Sequence, residues 1–282
     1  MSQAQLMDGT GLARRIVEET AKRAADLTER TGVAPCLATV LVGEDPASVT
    51  YVRMKQNRSR KAGIESRHVA LPAGTSTAEL VGTLTALSAD PTVHGILLQH
   101  PMGHHIDERA AFEAIAPEKD VDGVTLASFS AMSFGLPGFA SCTPGGIMRL
   151  LDEYDVDPAG KRAVVVGRSA ILGKPVGMLL LGRDATVTYC HSRTADLSAV
   201  VREADIVVAA VGRPRLIRGE DIKPGAVVVD AGYNPGNIGD VDFDSARERA
   251  SLITPVPGGV GPMTIATLLA QTVEAATRQT GA

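Results

Sequence analysis

Tyr51 and Lys55 stand four residues apart in a stretch that opens on Pro46, so on a helix they share one face. Gln99 closes the apolar run His94-Gly-Ile-Leu-Leu-Gln99. That places it at the C-terminal end of a predicted strand, the edge where open α/β sheets bind ligands. Asp122 lies in the turn sequence Lys119-Asp-Val-Asp-Gly123. A lysine, a phenol, an amide and a carboxylate that converge can orient a polar heterocycle and move protons. Partial burial lowers the pKa of such a lysine and gives it a neutral form able to handle protons or activate water. Each residue also has a plainer reading, because an i,i+4 Tyr–Lys pair is a common surface feature of helices.

A second group of residues suits a phosphate-bearing cofactor. Val164-Val-Val-Gly167-Arg168-Ser169 ends another apolar strand and runs through Ala170-Ile-Leu-Gly173-Lys174-Pro175-Val176-Gly177 into a helix. A strand entering a glycine-bearing turn before a helix offers backbone N–H groups to phosphate. The spacing is not GxGxxG, and an ordinary strand-to-helix turn would look the same. The next strand ends in Tyr189-Cys190-His191-Ser192-Arg193, without the carboxylate that holds the ribose hydroxyls in NAD-preferring sites. Arg168, Ser192 and Arg193 can instead meet a 2′-phosphate by charge-assisted hydrogen bonds, which favours NADP over NAD. His191 and Arg193 read equally as solvated loop residues.

The elements that must position these residues follow from the apolar pattern. Cys36–Val42 reads as a buried strand. Asp45 caps a helix that opens on Pro46 and runs to about Ala62, with Gly63 as its stop. Strands are predicted at Ile64–Leu71 and His94–Gln99. Helices are predicted from the Ser76/Glu79 capping box to about Ala89 and over Asp107–Ile115. Residues 129–142, richer in Gly, Pro and Ser, look like a connection. A helix from Thr143 to Glu153 follows. Strands then fall at Ala163–Val166, Ala185–Cys190, Asp205–Val211 and Ala226–Asp230, alternating with helices near Pro175–Leu181 and Asp196–Glu203. A helix from about Met263 to Arg278 closes the chain. Strand–helix alternation predicts an α/β fold built on mostly parallel sheet, covered on both faces.

Bulk properties exclude several classes. The 282 residues suit two domains. With 28 Lys plus Arg against 32 Asp plus Glu, a net −4 gives no basic surface for nucleic acid or an anionic membrane. There is no Trp, so nucleobase stacking platforms are poorly supplied. Cys36, Cys142 and Cys190 are scattered and odd in number, which suits a reducing compartment better than a disulfide framework or a zinc site. No leader-like segment opens the chain, and no apolar run is long enough to span a bilayer, so a cytoplasmic enzyme is expected.

Taken in order, the motifs resemble the bifunctional methylenetetrahydrofolate dehydrogenase/methenyltetrahydrofolate cyclohydrolase family over nearly the whole chain. They are Val42-Gly-Glu-Asp-Pro-Ala-Ser48, Tyr51-Val-Arg-Met-Lys55, Gly95-Ile-Leu-Leu-Gln99, Pro117-Glu-Lys-Asp-Val-Asp-Gly123 and Cys142-Thr-Pro-Gly-Gly146. Val166-Gly-Arg-Ser169, Cys190-His-Ser192 and the long, unusual Thr254-Pro-Val-Pro-Gly-Gly-Val-Gly-Pro-Met-Thr264 complete the set. The resemblance implies two α/β domains around a cleft. A folate-binding catalytic domain would span 1–141, completed by the returning helix 263–282, and a Rossmann-like NADP-binding domain would span 142–262. It implies oxidation of 5,10-methylenetetrahydrofolate by NADP, then hydrolysis of the methenyl product to 10-formyltetrahydrofolate, with no metal and with a homodimer joined through the cofactor domains. Lys55 would be the proton-handling group, tuned by Gln99. Tyr51 would stack near the pterin and Asp122 would fix its orientation. Gly258, Gly259 and Pro262 would line the folate cleft, and Gly167, Arg168, Ser169, Ser192 and Tyr233 would contact the cofactor.

The chain departs from the family pattern after Gln99. Relatives commonly continue Leu-Pro-Leu-Pro-His, whereas this chain has His100-Pro-Met-Gly-His104-His105, so His100 replaces an apolar wall residue near the folate. The three histidines lack an acidic or Cys partner nearby and read as a polar loop rather than a metal site. Ala170 replaces the usual Asn after Ser169, and Tyr233 stands where relatives often have Ile beside the nicotinamide. Two other readings compete: a shikimate-type NADP dehydrogenase of similar architecture, and a folate-binding module that has lost catalysis.

Overall fold

The computed structural model describes residues 3–43 and 46–282, with the backbone alone described for 46–53. In chain order the elements are β1 (Gln5–Leu6), α1 (Gly9–Thr31), β2 (Cys36–Val42), α2 (Pro46–Lys61), β3 (Glu65–Leu71), α3 (Thr77–Ala89), β4 (Gly95–Leu98), α4 (Glu108–Glu113) and α5 (Leu126–Ser133). There follow α6 (Cys142–Glu153), β5 (Arg162–Val166), α7 (Gly173–Leu181), β6 (Thr186–Cys190), α8 (Leu197–Arg202), β7 (Ile206–Ala209), β8 (Val227–Asp230), α9 (Phe243–Arg247), β9 (Leu252–Ile253) and α10 (Val260–Thr280).

Contacts divide the chain into two units. One comprises Arg15–Ala131, Pro137–Ala140 and Leu268–Ala282; the other comprises Met1–Arg14, Met132–Leu136 and Ser141–Thr267. The first carries a parallel three-stranded sheet in the order β3-β2-β4. Its central strand β2 and its neighbour β4 are buried along their whole length, which is why both read as unbroken apolar runs. Leu27 of α1, Leu80 and Leu84 of α3, and Phe112 of α4 are fully buried in this unit. The capping box of α3 forms as its sequence predicts, with Glu79 N–H donating to Ser76 Oγ and Ser76 N–H to Glu79 Oε2.

The second unit carries a six-stranded sheet, β1-β9-β8-β7-β5-β6, in which every strand pairing is parallel. From β5 the chain moves to β6 on one side and then to β7 on the other. The topological switch point therefore lies at the C-terminal ends of β5 and β7. Val164, Val166, Val207 and Val228 pack with Val201 and Ala246 from the covering helices.

Several expectations are corrected. The described residues up to Arg14 do not join the first unit: Gln5 pairs with Leu252 and Leu6 with Ile253, so β1 completes the six-stranded sheet. α1, which no sequence signal announced, passes from one unit to the other. Its buried stripe of Ala13, Thr20, Ala24 and Leu27 is narrow and set in a highly charged stretch. Part of the expected connection at 129–142 is helical, because Phe129–Ser133 contains no breaker and the Gly and Pro residues begin at Gly135. α10 starts at Val260 rather than Met263, which puts Pro262 in the first turn, where a missing N–H costs nothing. From Leu268 onward this helix belongs to the first unit, where Gln271 Nε2 donates to Val121 O at 2.7 Å and Gln279 Nε2 to His94 O at 2.9 Å.

Candidate active site

In the first unit, α2 carries the half-buried Lys55, whose Nζ donates to Gln99 Oε1 at 3.0 Å. Gln99 follows β4, and its own N–H still donates to Val40 O of the central strand at 2.9 Å. Its side-chain Nε2 donates to His100 O at 2.8 Å. A carbonyl can take only the amide's nitrogen, so the amide oxygen is turned to the lysine. One turn along α2, the buried Ser59 hydroxyl donates to Lys55 O at 2.9 Å. The lysine thus stands beside a neutral acceptor of fixed polarity.

Asp122 is half-buried on a turn braced at both ends. The fully buried Asp120 carboxylate accepts from Val124 N at 3.1 Å and Thr125 N at 2.9 Å. Val121 packs so tightly on Gly95 that a Cβ there would come within 2.7 Å of Val121 Cγ2. The structure therefore brings Lys55 and Gln99 into contact and presents Asp122 from its own turn. The Tyr51 side chain and the proposed Asp45 cap lie outside the described residues. The loop histidines are engaged separately. His100 stacks edge-on against Phe112 with centroids 6.3 Å apart, and a His105 ring nitrogen hydrogen-bonds Thr75 O at 3.1 Å. Among the described residues no group of three or more His, Cys, Asp or Glu could hold a metal.

In the second unit, Gly167 ends β5 with its N–H on Cys190 O at 2.9 Å. Its φ is +141°, and a Cβ there would come within 2.3 Å of Ala210 O, so two chain segments meet at the switch point with room for no side chain. Ser169 Oγ accepts from Leu172 N and Gly173 N, each at 3.2 Å, and thereby shapes the entry to α7. Arg168 is exposed, as are Ser192 and Arg193 in a turn closed by Thr194, whose Oγ1 accepts from His191 N at 2.8 Å. The end of β6 offers cations and hydroxyls and no carboxylate, which fits a dinucleotide carrying a 2′-phosphate. Tyr233 is 61% exposed, with its hydroxyl donating to Asn237 Oδ1 at 2.8 Å. Gly258 has a φ of +105°, and its carbonyl accepts from Thr10 N at 2.9 Å. Gly259 is buried and Pro262 half-buried.

Three residues of this unit escaped sequence reasoning. The buried Asp240 carboxylate accepts from Val211 N at 2.6 Å, Gly212 N at 2.9 Å, Arg213 N at 2.8 Å and Asn234 Nδ2 at 3.1 Å. That diversion of the Val211 N–H ends β7 at Ala209, two residues before its predicted end. Asp230 accepts from Gly232 N, Asp240 N and Val241 N at 2.9–3.0 Å. Burial pushes its pKa up to about 6, against those hydrogen bonds. The only signal was an acid at the end of an all-valine strand, which must find donors once buried.

Two family models match the chain: residues 7–122 match the tetrahydrofolate dehydrogenase/cyclohydrolase catalytic domain, and 141–280 match the NAD(P)-binding domain of the same name. The bifunctional protein FolD 1 of Streptomyces avermitilis is 81% identical over 278 residues, covering 99% of this chain and 97% of that protein. The bifunctional enzyme FolD, methylenetetrahydrofolate dehydrogenase/cyclohydrolase, of Campylobacter jejuni has a structure that matches with a TM-score of 0.95 at 43% identity, covering 98% of this chain and 99% of that one. The N5,N10-methylenetetrahydrofolate dehydrogenase-cyclohydrolase of Trypanosoma brucei, complexed with NADP cofactor and inhibitor, matches over 100% of both chains with a TM-score of 0.96 at 39% identity.

Proposed function

The chain belongs to the tetrahydrofolate dehydrogenase/cyclohydrolase family, and on that premise we infer that it oxidises 5,10-methylenetetrahydrofolate with NADP and hydrolyses the methenyl product to 10-formyltetrahydrofolate, in one-carbon metabolism. The observation that carries the assignment of residues is the 3.0 Å hydrogen bond from Lys55 Nζ to Gln99 Oε1.

In the hydrolytic step water adds to the methenyl carbon and gives up a proton. The bond from that carbon to N5 then breaks as N5 is protonated, leaving the formyl group on N10. Lys55 is the group that holds and moves the proton, and Gln99 keeps its Nζ in place. Tyr51 and Asp122 orient the pterin. NADP, when bound, supplies the hydride acceptor. Gly167 and Ser169 would shape the turn that receives its phosphates, Arg168 and Ser192 would meet the 2′-phosphate, and Tyr233 would stand by the nicotinamide. Tetrahydrofolate derivatives are its small-molecule partners, and nucleic acid and membrane are not. The three free cysteines are buried, which suits a reducing cytoplasm. The proposed assembly is a homodimer, which light scattering at working concentration checks.

Lys55→Met separates the two steps. Hydride transfer needs orientation, whereas water addition needs proton handling, so hydrolysis should fall about 100-fold or more and oxidation less. Near-normal hydrolysis after subtraction of the enzyme-free rate would remove Lys55 from its role. The wild-type assay comes first: methylenetetrahydrofolate oxidation followed with NADP and with NAD, and methenyl decay followed separately.

A further inference from the structure

The end of β7 lies beside Gly167 at the switch point, so the segment after it, Val211-Gly212-Arg213, borders the place where a sheet of this order takes a dinucleotide. All three backbone amides of that segment donate to one side chain. Asp240 Oδ2 accepts from Val211 N and Gly212 N, and Oδ1 accepts from Arg213 N. Three successive N–H groups turned onto one internal carboxylate fix the backbone of the segment, with Gly212 at a φ of +65°. A trans peptide points its C=O away from its N–H. With the amides turned inward, the carbonyls of Ala210, Val211 and Gly212 are turned outward. Ala210 O is the atom that faces the Cβ position of Gly167.

The carboxylate is itself held from below. Asp240 N donates to Asp230 Oδ1 at 3.0 Å and Val241 N to Asp230 Oδ2 at 2.9 Å. A Cβ on Gly239 would come within 1.9 Å of Asp230 Oδ2. Asn234 Nδ2 adds a side-chain donor to Asp240 and a second bond to Ile238 O. A fully buried carboxyl group taking four donors is costly to disturb, because each donor left unpaired in the interior costs its desolvation.

We propose that Asp240 is a positioning residue of the cofactor site, setting the carbonyl row of Ala210–Gly212 beside the Gly167 turn so that NADP meets it already arranged; this rests on the NADP reading above. Asp240→Asn keeps the size but turns an NH2 group onto backbone N–H groups. The KM for NADP should rise about tenfold while kcat at saturating NADP stays within about twofold of wild type. Amides 211–213 should exchange faster with solvent. Hydrolysis of methenyltetrahydrofolate, which consumes no NADP, reports on folding in the same sample. An unchanged KM for NADP overturns the proposal, and so does a fall in kcat at unchanged KM, the mark of a merely structural role. If Asp240→Asn does not fold, Asn234→Ala decides. Removing one donor should raise the NADP KM about threefold, and an unchanged KM again overturns the idea. A wild-type protein that does not oxidise methylenetetrahydrofolate with NADP would overturn the functional reading itself, independently of either variant.

Discussion

Gln99 meets the proposed proton-handling lysine with a neutral oxygen. Its oxygen faces Lys55 because its nitrogen is committed to His100 O. Gln99→Glu would put a negative charge at that position and favour the ammonium form. The pH–rate profile of methenyl hydrolysis should then move to higher pH, with activity at neutral pH reduced. An unshifted profile would mean that Lys55 does not set it. On the cofactor side, Arg168→Ala should weaken NADP by at least about tenfold and NAD little, since a cation lost from a phosphate costs a charge-assisted hydrogen bond. Equal losses would mean that Arg168 does not read the 2′-phosphate. Lys55 and Gln99 were legible as candidates because Lys55 follows Tyr51 by four residues on a helix opened by Pro46 and Gln99 closes an apolar strand run. Asp240 was not, because its partners are backbone amides 27–29 residues away, and a backbone amide carries no mark in a sequence.

At the scale of elements, what was legible was local. The Ser76/Glu79 box lies within four residues, and its helix was placed within a residue at each end. Ser76→Ala should cost about 1 kcal/mol of stability in urea titration and leave both activities unchanged. The elements missed include α5, α9, α1, whose narrow apolar stripe is hidden among charges, and the two-residue strands β1 and β9, which exist only because they pair with each other and with β8. Turn geometry makes the strongest prediction. Gly167→Ala would meet both a positive φ and a carbonyl at 2.3 Å. It should destabilise by about 2 kcal/mol or more, read from the shift in urea midpoint at constant m-value. A midpoint within experimental error of wild type would show that the turn yields.

Across the whole molecule, the two units should answer acid in opposite senses. The fully buried His94 accepts from Cys36 N at Nδ1, 3.0 Å away, and burial, then the Lys119 charge, hold its pKa below the usual value. Unfolding lets it bind a proton at about 6.5, so its contribution is complete above that pH and is lost as pH falls below it. Asp230, raised to about 6, does the reverse. The folded state takes up its proton before the unfolded one, so this contribution is present at low pH and disappears as pH rises through about 6. Between pH 7 and 5, hydrogen exchange corrected for its intrinsic pH dependence should show protection falling in β2 and β4 and holding or rising in β8. A uniform loss in both sheets would contradict the pairing of these two groups with their environments.

The interleaving of the chain also bears on how such a protein can be taken apart. β1 is the outermost strand of a sheet whose other strands all arise from Arg162 onward, and the tail of α10 reaches back to Val121 and His94. A fragment beginning at Ser141 would bare the edge of β9, a template for pairing with other chains. One ending at Ala140 would bare the apolar surface that Leu268, Leu269 and Val273 now help to bury. Truncation therefore cannot yield either activity as a clean module. Gene shortening or exchange at the midpoint would leave a sticky remnant, so the oxidative and hydrolytic steps are inherited as a pair.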